Sequence, residues 1–509
     1  MSERHRKTGQ SSAGNDTEDI EMTTSPGQNQ QKAPKKFGFH LPHYEHNGYN
    51  HDGESGRRGI HPWHFLRIGF RSTSTASMLV NALWPFVPPA IALHFARPDL
   101  HVWIFALNYI AMIPSANLIG FAGQELARKL PKVFGVVLET FLGGIVEIIL
   151  FTILIVKSAE SPDPEETLPG TSNVPIIRAA ILGSVLANLL LCLGFCFFVG
   201  GMNKDEQVFD EAVSEVGSGL LLVAGFGLLI PSAFFNSLYG GVTGGDYSRH
   251  FLEERTLTIS RATSVILMVA FGIYVFFQMR THHGIYEAVL EEDEKRDDDR
   301  HKDLKKDKFT FTECIVAILL ALTFVTLSAD FLVHEIEFIV LENGVSDLFM
   351  GLILVPLVEK VAEHLTAIDE AHDNQMNFAL AHVLGATIQT ALFNSSLVVI
   401  IGWGLAKGMD LNFEPFNIIV LILSIIVVGN FLRDKKSNYL EGSLCILVYL
   451  IIAVAAFYYP NPHTEEPSEG SSEGGAEGGA EGGGATSTAE IAAKATEHAT
   501  EAALRFFRG

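Results

Sequence analysis

Residues 356–375 read "PLVEKVAEHLTAIDEAHDNQ". The stretch before, "LFMGLILVPLV" (348–358), and the stretch after, "FALAHVLGATIQTALFNSSLVVIIGW" (378–403), are both apolar enough for a bilayer interior. Glu359, Lys360, Glu363 and His364 therefore fall at a depth where charge is costly. On insertion scales the cost is roughly 2.5–3.5 kcal/mol per charge, so such residues are kept chiefly for function.

The rest of the chain fits a membrane setting. Of 509 residues, 48% are hydrophobic and 18% charged, too apolar for an ordinary soluble protein with long polar tails. Apolar blocks of membrane-crossing length predict spans at about 76–95, 101–119, 133–157, 175–199, 213–236 and 257–279. Five more follow at about 309–333, 345–368, 376–402, 414–432 and 440–459. The predicted fold class is an all-α polytopic membrane protein of about eleven helices, one plus two inverted five-helix repeats.

Its parts are a disordered N-terminal tail (1–62), the first span and first repeat (63–279) and an acidic loop (280–308). The second repeat (309–460) and a low-complexity tail (461–509) with a short helix complete it. The first 60 residues are polar, so no signal peptide is expected. Much of the net charge of −22 sits near residues 287–303 and in the Glu-rich tail, and it gives nucleic-acid binding no support. Cys192, Cys196, Cys314 and Cys445 lie in apolar segments and read as buried free thiols. No Walker A, HExxH or G-x-S-x-G pattern suggests an enzyme.

A second acid-bearing block, "ETFLGGIVEIIL" (139–150), occupies the corresponding place in the first half. One span later the halves carry "AAILGSVLANLLL" (179–191) and "AHVLGATIQTALF" (381–393). An odd number of spans per half inverts one repeat relative to the other and puts Glu147 and Glu363 at the repeat interface. Two facing carboxylates offer hard oxygens to a cation, and burial lets the same oxygens take protons. Competition at one alternating-access site is sufficient for antiport.

Five stretches carry a family likeness: "WIFALNYIAMIPSANLIGFAGQELA", "LGSVLANLLLCLGFCFFVGG", "SRATSVILMVAFGIYVFFQMRTHHGIY", "DLNFEPF" and "SNYLEGSLCILVYLIIAVAAFYYP". From about residue 78 to 457 the chain resembles the calcium/proton exchangers of the cation/calcium antiporter superfamily, of the fungal vacuolar type. The resemblance implies eleven spans, an acidic cytosolic loop after the sixth, a vacuolar membrane location with the N-terminus cytosolic, and exchange of cytosolic Ca2+ for vacuolar protons. It implies ion binding and proton coupling at Glu147, Glu363, His364, Gly143, Ser184, Asn188 and Gln389, with Glu147 and Glu363 on the metal. His364 beside Glu363 is placed to tune or relay its proton.

Both repeat motifs depart from the family pattern. Where the family has Asn-Ala-Thr-Phe-Gly-Asn-Ala-Val-Glu, this chain runs from Glu139 through Gly143 and Gly144 to Glu147. Where the family has Gly-Asn-Ala-Ala-Glu-His, it has Glu359-Lys360-Val361-Ala362-Glu363-His364. Lys brings three donors and no acceptor to a position that carried a neutral oxygen. Adjacent Glu359 and Lys360 do not share a helix face, so the expected partner of Lys360 is Glu139 across the repeat interface.

The expected function is cation/proton antiport with Ca2+ and H+ as substrates and no cofactor; the expected partners are the bilayer and the ions. Exchange of a monovalent cation, or a transporter-like protein with lost or regulatory function, are the alternatives that Lys360 leaves open.

Overall fold

The computed structural model describes residues 59–72, 74–158, 173–202, 204–243, 245, 248–297 and 306–460. Most of the N-terminal tail, part of the acidic loop and the whole C-terminal tail with its expected helix lie outside the described residues. A short helix, α1 (Pro62–Arg71), leads into α2 (Ser77–Ala96), α3 (His101–Ala127), α4 (Lys132–Lys157), α5 (Val174–Gly201), α6 (Glu211–Val242) and α7 (Arg249–Thr281). The loop helix α8 (His283–Arg296) precedes α9 (Phe311–Asn343). Three consecutive segments, Asp347–Phe349, Met350–Leu354 and Val355–His372, run on as α10. Then come α11 (Met376–Gly404), α12 (Pro415–Arg433) and α13 (Tyr439–Phe457). Two short strands, β1 (Gln207–Val208) and β2 (Lys436–Ser437), pair antiparallel.

Ten of these helices, α2–α7, α9 and α11–α13, are long and apolar enough to cross a membrane. The eleventh predicted span is α10, whose Glu359, Lys360, Glu363, Asp369 and Glu370 set it apart in composition. The two halves share one construction. α5 consists of an α-helical segment of 13 residues, a π-helical segment at Ala187–Cys192 and a further α-helical segment. α11 repeats this with 13 residues, a π-helical segment at Gln389–Asn394 and its own α-helical end. Such π turns often mark functional positions, because they shift the facing side chains out of the regular ladder.

The repeats are inverted. Lys132 at the start of α4 pairs with Glu294 of α8. Asp293 of the same α8 accepts hydrogen bonds from Asn377 N at 2.8 Å and Phe378 N at 3.1 Å, just past the end of α10. α4 therefore begins at the face where α10 ends, and the two run in opposite directions. α5 and α11 are the central pair, with 83% and 78% of their apolar windows buried against 17–56% elsewhere. Outer helices turn large apolar side chains outward, including Ile266 and Ile273 of α7 and Ile451 and Val454 of α13. A water-soluble fold hides such side chains, whereas a bilayer accepts them.

Candidate functional site

α4 and α10 bring Glu147 and Glu363 to one place, with Lys360 between them. The Lys360 Nζ lies 2.8 Å from Glu147 Oε2 and 3.3 Å from Glu363 Oε2. Lys360 and Glu147 are 1% and 0% exposed, while Glu363 keeps 17% of its side chain open to a cleft. The sequence-based pairing of Lys360 with Glu139 is not what forms. Lys360 reaches Glu363 within its own helix and Glu147 across the interface, and Glu139 sits two turns away along α4.

The first-repeat acid is held by the second repeat. Thr390 Oγ1 donates to Glu147 Oε2 at 2.8 Å, and Asn394 Nδ2 donates to the same oxygen at 2.9 Å. Both donors lie on the π-helical segment of α11, spaced four residues apart. Sequence reasoning singled out Gln389 and passed over these two; their four-residue spacing in an apolar run was the available signal. Reciprocally, the first repeat holds Glu359 and His364 of the second. Ser184 Oγ of α5 donates to Glu359, and Asn188 Oδ1 of α5 faces His364 Nε2 at 3.0 Å.

Gly143 and Gly144 make room for this. A Cβ on Gly143 would overlap the Glu363 carboxylate, and one on Gly144 would overlap the Gln389 amide. Gln389 is buried, and neither of its side-chain polar atoms finds a hydrogen-bond partner among the described residues. Among the described residues, Glu147 Oε1, Glu359 Oε2 and Asn394 Oδ1 are likewise buried without hydrogen bonds. With Gln389 Oε1 these are hard oxygens, the donor chemistry suited to alkali and alkaline-earth cations, although among the described residues no three His, Cys, Asp or Glu side chains are grouped to hold a metal ion.

Every sequence-predicted site residue falls in this region except that Glu139 belongs to a neighbouring cluster. There, His382 of α11 bridges Glu370 of α10 at 2.7 Å and Glu139 of α4 at 3.3 Å. The cleft is lined by Glu139, Gly143, Glu359, Glu363, His364 and His382, so it touches both groups. Asp330 pairs at 2.7 Å with Lys157 at the far end of α4 and does not line the cleft. Glu125 accepts from Phe309 N at 3.1 Å, which ties the end of α3 to the start of α9. All four cysteines are buried and free, as expected.

Residues 100–280 and 314–458 match the family model of sodium/calcium exchanger proteins. The chain is 34% identical over 393 residues to vacuolar cation/proton exchanger 5 of Arabidopsis thaliana, covering 76% of this chain and 82% of that one. It is 29% identical over 394 residues to the vacuolar calcium ion transporter of Schizosaccharomyces pombe, covering 77% and 88%. Among solved structures, a Ca2+/H+ antiporter protein, YfkE, matches with a TM-score of 0.57 at 24% identity over 74% of this chain and 99% of that one. That likeness shows the fold, with an all-α, multi-span architecture. The chain belongs to the sodium/calcium exchanger protein family.

Proposed function

We propose that the protein is a secondary active cation/proton antiporter of the vacuolar membrane, with cytosolic Ca2+ as its first candidate substrate. The observation that carries this reading is the meeting of Glu147 and Glu363, one carboxylate from each inverted repeat, around a single positive charge. In this conformation the charge is the Lys360 ammonium. A transported cation takes over the same oxygens when Lys360 swings aside, and protons neutralise them for the return. The three occupants exclude one another, which couples cation movement to proton movement. Names and coverage of the relatives support calcium/proton exchange.

Lys360 also favours a second reading. Glu147, Glu359 and Glu363 with Lys360 carry a formal −3 + 1 = −2 when all are ionised. A resident ammonium already serves two of the three carboxylates, so a monovalent ion needs less additional oxygen than Ca2+, which takes 6–8 ligands. The N-terminal face is read as cytosolic, because Arg128, Lys129, Lys132, Arg433, Lys435 and Lys436 gather at that end of the helices.

Sealed vesicles with an imposed pH gradient test these readings, with Ca2+, Mn2+, Na+ and K+ offered separately. Gradient-driven Ca2+ uptake supports the first reading, and Na+ or K+ uptake without Ca2+ the second. Uptake of none of the four rejects antiport.

A further inference from the structure

We propose that Glu139, Glu370 and His382 form a second proton-binding site, set between the Glu147–Lys360–Glu363 centre and the α8 face, through which the exchanged proton passes. That the proton is exchanged rests on the antiport reading; that the triad binds it does not.

Three helices supply the triad: Glu139 from α4, Glu370 from α10 and His382 from α11. Their side chains are 14%, 10% and 11% exposed. His382 Nδ1 is hydrogen-bonded to Glu370 Oε2 at 2.7 Å. On the other side of the ring, Nε2 is at ion-pair distance, 3.3 Å, from Glu139 Oε2 and has no partner of full hydrogen-bond geometry among the described residues. A neutral imidazole has one N–H and one lone pair. With the N–H directed to Glu370, the lone pair of Nε2 lies against a carboxylate oxygen. Two acceptors then repel each other in a site with little water to screen them.

One proton, on Nε2 or on Glu139, converts that contact into a donor–acceptor pair, charge-assisted when the proton sits on Nε2. The step adds H+ to a lone pair and breaks no covalent bond. It takes the formal charge of the triad from −2 to −1.

Position supports passage. Glu139 precedes Glu147 by eight residues on α4, and Glu370 follows Glu363 by seven on α10. At 1.5 Å rise per residue the triad lies about 10–12 Å nearer the α8 face. The same cleft is lined by Glu139 and His382 of the triad and by Glu359 and Glu363 of the centre. Among the charged and titratable neighbours, Glu363 on α10 acts on His382. Asp293 on α8 and Cys192 on α5 act on Glu370. Gly217 of α6 packs against Leu384 of α11, and Asp210 N just before α6 donates to Asn377 Oδ1 at 2.7 Å.

Two readouts on the purified full-length protein in lipid test the proposal. Infrared difference spectra stepped through pH report imidazole protonation, assigned by comparison with His382→Gln. Proton flux driven by a Ca2+ gradient in vesicles reports its use. The expected result is an imidazole signal that changes with pH and is absent from His382→Gln. In His382→Gln and Glu139→Gln the pH of half-maximal flux moves by about one unit or more. Glu370→Gln replaces any variant that fails to give a single gel-filtration peak. An imidazole that does not titrate, or a pH profile unmoved in all folded variants, overturns the proposal. If the wild type carries no flux with any cation, antiport fails and the infrared arm alone decides whether the triad binds a proton.

Discussion

The Lys360 ammonium stands 2.8 Å from the Glu147 carboxylate across the repeat interface, with neither side chain reaching solvent. The contact joins α10 to α4 and fills the space between the two repeat acids. A buried pair of this kind is a weak source of net stability but a costly one to break on one side only.

Removing the ammonium alone, with Lys360→Met, leaves Glu147 and Glu363 facing each other. The expected cost is about 3–5 kcal/mol, read as a lower melting temperature. Added Ca2+ is expected to raise the melting temperature of this variant more than that of the wild type, because it replaces the missing charge. Equal stabilisation of both proteins counts against a shared position for Lys360 and the cation.

Glu147→Gln and Glu363→Gln keep the shape of each side chain and remove its charge. Cation-coupled proton flux is expected to fall at least about tenfold in each, the loss of one charge-assisted contact. Deletion of residues 461–509 is expected to leave the flux unchanged. Vesicle flux at matched protein amount checks all three.

Gly143→Ala places a methyl group on the Glu363 carboxylate. Displacing that side chain is expected to cost about 1–3 kcal/mol and to reduce flux without changing the pH of half-maximal rate. A melting curve and a flux–pH profile on the same preparation separate the two effects.

Asp293 lies outside the membrane-spanning helices and is amenable to a pH test. Burial raises its carboxyl above the ordinary value, and the hydrogen bonds from Phe378 and Asn377 oppose this. A carboxyl whose docked value exceeds its free value favours docking most when protonated. The docking of α8 onto the start of α11 is therefore expected to weaken as pH rises from the free-carboxyl value through the raised one, and to level off above it. Hydrogen-exchange protection of Asn377 and Phe378 across that window checks the sign, and Asp293→Asn should flatten the dependence.

Helix number and order were legible because blocks of apolar residues of membrane-crossing length leave few alternatives. The ends were less so: the second span was expected to stop at 119, whereas α3 continues to Ala127 through polar residues such as Gln124 and Glu125. Glu147, Glu363 and their symmetric setting were readable from two acids in matching places. The partner of Lys360 was not, because sequence gives the face of a helix and not the reach of a four-carbon chain. Nor was the triad: His382 and Glu370 are joined by the turn between α10 and α11, and Glu139 comes from the other repeat. Only the packed inverted repeats place those three together.

The central claim is that Glu147 and Glu363 bind the transported cation at the position now held by Lys360. The most direct measurement is Ca2+ uptake into proton-loaded vesicles by wild type and Glu147→Gln, with Na+ and K+ in parallel. The expected result is uptake of at least one of these cations by the wild type and its loss in Glu147→Gln. Uptake that survives Glu147→Gln, or no gradient-driven uptake of any of them by the wild type, would contradict it.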